Sequence, residues 1–437
     1  MKKFISLLCV LLVMFLLFGC SMKAEPNSGT FDGAHTASSS LKGGSEGLEP
    51  SGISGEWYSI GDGGGTALYD EEGDLTALEE YQNQLRAGNI TASATMDNEK
   101  YDFWHSLLVS GQEEDGEFKN YNTKYSFKTA NRLVITLPKG IIAKVSLMND
   151  NEAVFTGVSD QNGVCYLFSN EEKESYNIKV EYLNKDNNLV SFDDVVTGDK
   201  EYTDLEFIER NTNIIDLAFV IDATGSMGDE MEYLKIEISD VIGKIKEENG
   251  NITVRLAIIV YRDNGDLYVV KDRNFTEDID TQVAFLKQQS AGGGGDFEEA
   301  VDQALDSAKN LSWTEGDSTK VLVFVADAPS HDRDVQKWSN LTLEFAKMGV
   351  RILTVASSGI DKKTEYFFRC QSIITGGVYV HITNDSGIGG DHIEASTEEK
   401  EEVELLNDCL VRIINGFHTG DFGTPINWQQ SQTSPLS

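Results

Sequence analysis

The chain is 437 residues long, and its 72 acidic residues against 36 basic ones give a formal net charge of −36 at pH 7. Such a charge repels a phosphate backbone, and no local basic patch offsets it, so nucleic acid is disfavoured as a partner. The excess of acids is most simply a solubilising surface. A hydrophobic content of 40% is sufficient for packed cores, and the length allows roughly two or three domains.

The first 20 residues have the pattern of an export signal that ends in a cysteine. Lys2 and Lys3 form a short positive segment, residues 4–18 are apolar, and Leu17-Phe18-Gly19-Cys20 resembles a bacterial lipobox. The apolar stretch is too short to span a membrane comfortably. We therefore expect residues 1–19 to be a lipoprotein signal peptide and Cys20 to carry lipid, which would tether the protein to the extracytoplasmic face of a bacterial cell membrane.

Two less informative segments follow. Residues 20–55 are rich in Ser, Gly, Thr and Asn with almost no large apolar side chains, which predicts a flexible tether. Residues 56–125 are predicted to be a mixed helical and irregular region, with helical spacing at 75–85 and 101–108. Of the later cysteines, Cys370 and Cys409 are able to form a bridge, but all of them are better interpreted as buried and unpaired.

Residues 126–207 alternate apolar and polar side chains in short runs that are separated by Asn, Asp and Gly turns, which predicts a small all-β sandwich. The stretch from Thr156 to Val164 resembles a hairpin of carboxypeptidase-regulatory-like sandwiches. Within it, Asn162-Gly163 is suited to the positive φ angles of a tight turn. We interpret Asp160 as a turn former rather than a calcium ligand.

From residue 212 onward, apolar strands alternate with amphipathic helices, which predicts an α/β domain with a doubly wound, Rossmann-like parallel sheet. Continuous apolar runs at 214–221, 254–261, 321–326 and 351–356 have the composition of strands that are buried on both faces. In such a sheet, ligands bind beyond the carboxyl ends of the strands, where the strand order reverses.

A carboxylate and two hydroxyls follow the first of these strands. Asp222, Thr224 and Ser226 are spaced two residues apart around Gly225, so their oxygens are able to converge in a sharp turn. Oxygen ligands of this kind suit a hard divalent cation, and Mg²⁺ in particular keeps open positions for other ligands. The alternative is a helix N-cap on a Rossmann-like turn.

The pattern Asp222-x-Thr224-x-Ser226 resembles the metal-ion-dependent adhesion site of the von Willebrand factor A family, and the resemblance covers residues 212–416. It implies that Asp327, after the strand at 321–326, is a further ligand, and that the Gly-rich loop at 291–300 supplies another. The family has threonine where this chain has Gly295, which leaves Asp296 as the available donor. Asp296 either ligates the ion, making the site anionic, or turns away and caps the following helix.

The resemblance implies a binding protein that uses Mg²⁺, with Mn²⁺ or Ca²⁺ as alternatives, to recognise a protein partner through that partner's acidic side chain. The Gly-x-Ser-x-Gly pattern at residues 43–47 lies in the predicted tether and not between a strand and a helix, so it is not a nucleophile elbow. The sequence has no His-Glu-x-x-His helix or phosphate loop, so no catalytic residue is predicted and the chain is expected not to be an enzyme. A metal-free structural module of an envelope complex and a metal-dependent hydrolase remain alternatives.

Several nearby groups have simpler interpretations. Glu298 and Glu299 are expected in the first turn of a helix over residues 299–311, where acids are stabilised. His331-Asp332 and the pair His392 and Glu394 are assigned to loops. Residues 417–437 are expected to form a disordered tail.

Overall fold

The computed structural model describes residues 56–60, 65–69, 86–110, 117–209 and 212–433. The predicted tether, the helical spacing at 75–85 and Cys20 lie outside the described residues. Among the helices of the described part, none has the length and apolar character that a membrane crossing requires. Cys165, Cys370 and Cys409 are all buried and free, so the expectation of unpaired cysteines is confirmed.

The amino-terminal part of the described chain begins with an antiparallel pair, β1 (Glu56–Ile60) and β2 (Gly65–Tyr69). It continues with β3 (Thr91–Thr95), α1 (Tyr101–Val109) and α2 (Glu117–Lys124). The position of α1 matches the helical spacing that the sequence shows there. Trp104 on α1 and Phe118 on α2 are fully buried against Tyr366, so both helices pack on the later part of the chain.

Residues 131–201 form two small sheets. The strands are β4 (Asn131–Thr136), β5 (Ala143–Asn149), β6 (Glu152–Val158), β7 (Val164–Ser169), β8 (Tyr176–Leu183), β9 (Leu189–Val196) and β10 (Lys200–Glu201). Their orders are β10-β4-β7 and β6-β5-β8-β9. In the turn before β7, Asp160 Oδ1 accepts hydrogen bonds from the amides of Asn162 and Val164, and Gly163 has a φ of 80°. Asp160 is therefore committed to the turn, as its sequence context indicates.

The largest sheet has eight strands in the order β13-β12-β11-β14-β15-β16-β3-β17. The new strands are β11 (Ile214–Asp222), β12 (Thr253–Tyr261), β13 (Val270–Thr276), β14 (Thr319–Ala326), β15 (Val350–Ala356), β16 (Val378–Ile382) and β17 (Val403–Leu405). Strands β12, β11, β14, β15 and β16 are parallel, whereas β13, β3 and β17 pair antiparallel. The mixed α/β class with a large, mostly parallel sheet is therefore as predicted.

Helices cover both faces of this sheet. They are α3 (Met231–Glu248), α4 (Ile279–Lys287), α5 (Val301–Lys309), α6 (Val335–Met348), α7 (Lys362–Thr375), α8 (Leu406–Thr419) and α9 (Trp428–Thr433). Successive side chains of β11 point to opposite faces, so Ala218 and Val220 join one core with residues of α5, α6 and α7, while Leu217 and Phe219 join another with residues of α3 and α8. Because both faces are apolar, β11 is buried along almost its whole length.

Strand β3 belongs to the α/β sheet, although residues 56–125 were expected to form a separate region. It lies between β16 and β17 and pairs antiparallel with both. Just before it, the carboxylate of Glu237 on α3 accepts hydrogen bonds from the amides of Gly88, Asn89 and Ile90 at 2.8–3.2 Å. The sequence does not predict this strand, because its residues, Thr-Ala-Ser-Ala-Thr, are small and do not form an apolar run.

The end of the chain also differs from the expected disordered tail at 417–437. Helix α8 continues to Thr419, after which Gly420 adopts a φ of 80° and reverses the chain. The ring of Phe422 then packs 5.3 Å from that of Phe417, and the amide of Ile426 donates to Glu404. These contacts and α9 order the segment through residue 433.

Two predicted elements have different bounds. The edge strand expected at 267–270 is β13, which begins at Val270 and carries the charged, exposed residues Lys271, Asp272 and Arg273. The helix expected from Glu299 begins at Val301, because Glu299 pairs with Ser330 in an isolated parallel bridge instead. That bridge determines the position of Glu299 at the carboxyl edge of the sheet.

Candidate metal centre

The predicted ligands Asp222 and Asp327 come from neighbouring strands. Asp222 is the last residue of β11, and Asp327 follows β14 directly, with Ile221 opposite Val325 in the parallel register. From β11 the chain continues to β12 on one side, whereas β14 lies on the other side and leads to β15. The two carboxylates therefore lie at the point where the strand order reverses, which is where doubly wound sheets bind ligands.

The loop after β11 uses one oxygen of Asp222 and leaves the other unused. Asp222 Oδ1 accepts hydrogen bonds from the amide of Thr224 at 2.8 Å and from its hydroxyl at 2.7 Å. The hydroxyls of Thr224 and Ser226 are 3.2 Å apart, so the three predicted oxygen donors do converge. Asp222 and Thr224 are fully buried and Ser226 is exposed. Asp222 Oδ2, however, is buried and has no well-formed hydrogen bond among the described residues, although the Tyr261 hydroxyl is close enough to lower the pKa of Asp222.

Other oxygens at this edge are in the same condition. They are buried and have no well-formed hydrogen bond among the described residues: Asp327 Oδ1, Ser330 Oγ, Ser357 Oγ and the Tyr261 hydroxyl, at or after strand ends, and Glu230 Oε2 and Glu299 Oε2, just before helices. A buried acceptor without a partner costs about 1–3 kcal/mol, and more when it is charged. Buried polar atoms of this kind are commonly satisfied by an ordered water or a bound ion.

The raised pKa values of these acids show that the acids are buried and that their negative charges repel one another. Burial raises the pKa of Asp222 to about 6, against the hydrogen bonds from Thr224 that lower it. Burial, followed by the charge of Asp222, raises the pKa of Asp327 to about 7. Burial and then the charges of Asp222, Asp263 and Asp327 raise the pKa of Glu299 to about 9. Like charges that lie this close destabilise each other's ionised form, and a bound cation removes that penalty.

The Gly-rich loop lies directly against the loop after β11. The amide of Gly292 donates to the carbonyl of Ala223 at 3.0 Å, and the amide of Gly225 donates to the carbonyl of Gly293 at 3.2 Å. Gly293 has a φ of 82°, and a Cβ there would lie 2.4 Å from Asp266 Oδ2. This close approach of backbone to a carboxylate explains why the loop needs glycine at that position.

Asp296, the fifth predicted ligand, is exposed and lies near a different set of residues. Its carboxylate forms a group with Asp263 and His331, in which the candidate ligand atoms all lie within 4.8 Å of one another. His331 Nε2 is 2.8 Å from Asp263 Oδ1. Within the described ranges, Asp222, Asp296 and Asp327 do not form such a group. The loop residue His331 is thus one element of a cluster of potential metal ligands.

Sequence reasoning missed Asp263, Glu299 and Glu230. Asp263 follows β12 much as Asp327 follows β14. The principle that ligands bind beyond the carboxyl ends of parallel strands was therefore sufficient to find it. Glu299 was assigned to a helix N-terminus, but its carboxylate lies beside the loops, with Oε1 only 3.0 Å from a Cβ at Gly294. Glu230 Oε1 accepts from the amide of Ser358 and lies 2.9 Å from His392 Nε2, a pairing between distant segments that no local pattern indicates.

Comparisons with known proteins agree with the geometry. Residues 216–392 match the family model of the von Willebrand factor A domain. A putative ariadne-like RING finger protein of Acanthamoeba polyphaga mimivirus is 30% identical over 175 residues, which cover 39% of this chain and 16% of that protein. The alpha-protein kinase vwkA of Dictyostelium discoideum is 26% identical over 163 residues, which cover 36% of this chain and 25% of the kinase.

The chain therefore spans a quarter or less of the length of these two curated relatives. Among solved structures, a conserved hypothetical protein, BatB from Bacteroides thetaiotaomicron, is similar at 13% identity and a TM-score of 0.30, covering 38% of this chain and 89% of the other. The family match and the parallel sheet with its metal-type loops lead to one conclusion: residues 216–392 of this chain are a von Willebrand factor A domain.

Proposed function

We propose that this chain is a binding protein, anchored by lipid to the extracytoplasmic face of a bacterial cell membrane, which recognises a protein partner through a Mg²⁺-dependent site. One observation carries the proposal. Asp222 Oδ2 and Asp327 Oδ1, on neighbouring strands, are buried beside the hydroxyls of Thr224 and Ser226 and make no well-formed hydrogen bond within the described part of the chain.

The donor set fits a hard cation. Two carboxylates and two hydroxyls supply only oxygen, as Mg²⁺ prefers, and Mn²⁺ accepts the same set. Asp222, Thr224, Ser226 and Asp327 would hold the ion, which supplies a positive centre for an acidic side chain of the partner. Ser226 is exposed, so a partner is able to reach this side of the site. Thr224 fixes the orientation of the Asp222 carboxylate through two hydrogen bonds, and this leaves Oδ2 free to ligate.

We also propose that the chain is not an enzyme. The sequence has no His-Glu-x-x-His helix and no phosphate loop, and its Gly-x-Ser-x-Gly pattern at residues 43–47 is not placed between a strand and a helix. The relatives named for a RING finger and a kinase are matched over only 16% and 25% of their lengths, so their names do not support the same activity in this chain. Hydrolysis of peptide or phosphoester libraries that disappears in Asp222→Ala would support a metal-dependent hydrolase instead.

The anchor is proposed from the sequence around Cys20. Its test is metabolic labelling of the full-length chain with an alkyne fatty acid in a bacterial host, followed by membrane fractionation. We expect label on the wild-type chain in the membrane fraction and none on Cys20→Ala. An unlabelled wild-type chain, or label that persists in Cys20→Ala, would contradict the lipid anchor while leaving the metal site untouched.

The binding proposal is tested in two steps on the ectodomain that begins at residue 20. First, Mg²⁺ should raise the thermal midpoint of the wild type relative to EDTA, but not that of Asp222→Ala. Asp391→Asn is the matched control, because Asp391 is an exposed acid in a loop after β16 and its only hydrogen bond with another described residue is through its backbone carbonyl. Absence of a shift with Mg²⁺, Mn²⁺ and Ca²⁺ would favour the metal-free structural module.

Second, arrayed peptides with a single Asp or Glu, and their Asn or Gln counterparts, should separate an acid-dependent contact from other binding. Retention of acidic peptides by the wild type in Mg²⁺, lost in EDTA and in Asp222→Ala, is the expected result. Equal retention of acidic and amide peptides would contradict recognition through the metal.

A further inference from the structure

A second set of potential metal ligands lies beside the first, and it contains a nitrogen donor. Asp263 follows β12, Asp296 belongs to the Gly-rich loop, and His331 is in the loop after β14. Their candidate ligand atoms lie within 4.8 Å of one another, and His331 Nε2 is 2.8 Å from Asp263 Oδ1. Three ligands at about 2.0–2.2 Å from one ion are necessarily within roughly 4.4 Å of each other, so small side-chain adjustments suffice.

The donor types indicate the class of metal. One imidazole nitrogen with two carboxylate oxygens suits ions of the transition series such as Mn²⁺ or Zn²⁺, whereas Mg²⁺ and Ca²⁺ favour oxygen alone. Asp263 is only 7% exposed, while Asp296 is on the surface. An ion held between them would therefore have its inner side against the protein and its outer side open to water.

Glu299 provides an independent observation that a cation is needed here. Its side chain is 3% exposed, and its Oε2 is buried with no well-formed hydrogen bond in the ranges that the structure describes. A Cβ at Gly294 would lie 3.0 Å from Glu299 Oε1 and 3.5 Å from the Cβ of Thr224. The carboxylate of Glu299 therefore lies beside both the loop that carries Thr224 and the Gly-rich loop that carries Asp296.

Among the described residues, the guanidinium of Arg262 forms no ion pair with the aspartates of this edge, because its contacts are with neutral groups. The guanidinium of Arg262 donates to the carbonyl of Ser290 at 2.8 Å and lies 4.7 Å from the centre of the Tyr268 ring. Electrostatic repulsion links Glu299 with Asp222, Asp263, Asp266 and Asp327. When Asp222, Asp263, Asp266 and Asp327 are ionised, one dication offsets only two of their four charges, so a second cation is favoured on electrostatic grounds.

We propose that Asp263, Asp296 and His331 bind a second divalent cation, of the transition series, next to the Asp222 and Asp327 site, with Glu299 as the carboxylate between the two ions. The alternative is that His331 and Asp263 form only a hydrogen-bonded pair that stabilises the loops. Binding at Asp263, Asp296 and His331 does not depend on Mg²⁺ or on a partner at the first site, because these three residues are distinct from Asp222, Thr224, Ser226 and Asp327, and Glu299 alone is common to both.

The test uses Mn²⁺ and pulsed electron paramagnetic resonance on the metal-free ectodomain in the presence of excess Mg²⁺. Imidazole ligation couples the Mn²⁺ spin to ¹⁴N, and the first ligand set contains no nitrogen. We expect bound Mn²⁺ with ¹⁴N coupling in the wild type and in Asp222→Ala, and loss of that coupling in His331→Ala. Mn²⁺ affinity should fall by more than about tenfold in His331→Ala, because replacing even a residue that only hydrogen-bonds to a metal ligand typically has an effect of that size.

Asp296→Asn keeps the test decisive if His331→Ala does not fold, because Asp296 is exposed and its replacement leaves the core unchanged. It should weaken Mn²⁺ binding and preserve the ¹⁴N coupling of the ion that still binds. His105→Ala, which changes a partly buried histidine on α1, is the matched control and should have no effect. Wild-type Mn²⁺ without ¹⁴N coupling, or coupling that persists in His331→Ala, would overturn the assignment, whatever happens at the Mg²⁺ site.

Discussion

Arg369 on α7 and Asp97, two residues beyond β3, form an ion pair that is almost completely removed from solvent. Arg369 Nε lies 3.0 Å from Asp97 Oδ2, and the side chains are 0% and 3% exposed. Arg369 also donates to Glu365 Oε1 and to the carbonyl of Ser396. The pair therefore joins the segment that supplies β3 to the helix that covers β15 and β16, which explains how an added strand is held at the end of the sheet.

Asp97→Asn should destabilise the protein. It leaves the buried guanidinium with one carboxylate in place of two, and breaking a buried pair costs about 3–5 kcal/mol. We expect about 3 kcal/mol, because Glu365 remains. Urea unfolding followed by tryptophan fluorescence measures the change, and Trp104 lies 4.8 Å from the guanidinium.

Glu401→Gln is the control for Asp97→Asn. Glu401 pairs with Lys100, whose side chain is 42% exposed, and exposed pairs contribute about 0–1 kcal/mol. A loss for Asp97→Asn no larger than the loss for Glu401→Gln would contradict a structural role for the buried pair.

Asp222→Asn should raise the thermal midpoint in the absence of metal and abolish the stabilisation by Mg²⁺. Asparagine keeps the Oδ1 acceptor for Thr224 but removes a charge that repels Asp327 and Glu299. In EDTA the thermal midpoint should rise, by the equivalent of roughly 1–3 kcal/mol. At about 100 times its dissociation constant, Mg²⁺ should stabilise the wild type by about 2.7 kcal/mol, which corresponds to several degrees.

That Mg²⁺ increment should be absent in Asp222→Asn and intact in Asp391→Asn. A variant that loses stability in EDTA would show that Asp222 stabilises the loop through its charge, contrary to the repulsion inferred here. A variant that keeps the full Mg²⁺ increment would place the ion elsewhere.

The metal-free protein should become less stable as the pH rises from about 6.5 to 8.5. Below this range, His381 and His418, whose pKa values are lowered by burial, contribute the opposite slope. The pKa values of Asp222, Asp327 and Glu299 are raised to about 6, 7 and 9 in the fold, against about 3.9 to 4.3 in an unfolded chain. Between these values the folded state binds more protons than the unfolded state, so the free energy of unfolding decreases as pH increases.

Thermal midpoints in EDTA across this pH range test the sign. Saturating Mg²⁺ should remove most of the decrease, because the ion replaces the protons on the carboxylates. A midpoint in EDTA that increases steadily from about pH 6.5 to 8.5 would be inconsistent with raised pKa values at this edge.

The sequence predicted the parts of the site that depend on one strand and the loop after it. Asp222 and Asp327 follow continuous apolar runs, and such runs identify buried parallel strands and the ligand edge. Glu299 was missed because its position depends on pairing with Ser330, in a loop about thirty residues away. Local sequence patterns do not detect such long-range pairing. The small residues of β3 likewise gave no apolar signal, since their burial comes from the strands on either side.

Gly293→Ala should disrupt the metal loops, whereas Gly295→Ala should not. At Gly293 the φ of 82° disfavours any side chain, and a Cβ would lie 2.4–2.5 Å from the carboxylate atoms of Asp266. Asp266 Oδ2 accepts from the amides of Asp263 and Gly294, so displacing this carboxylate breaks both hydrogen bonds. The carbonyl of Gly293 accepts from the amide of Gly225, and the disturbance therefore reaches the loop that carries Thr224 and Ser226.

The measurement is the Mg²⁺-induced shift of the thermal midpoint in both glycine variants. Gly295 is the matched control, because it has no positive φ and a Cβ there would meet no atom within 4 Å. We expect the shift to be reduced or lost in Gly293→Ala and retained in Gly295→Ala. Equal shifts in the two variants would mean that the Gly-rich loop is not needed to shape the Asp222 site, and the contact between Gly225 and Gly293 would then have no functional role.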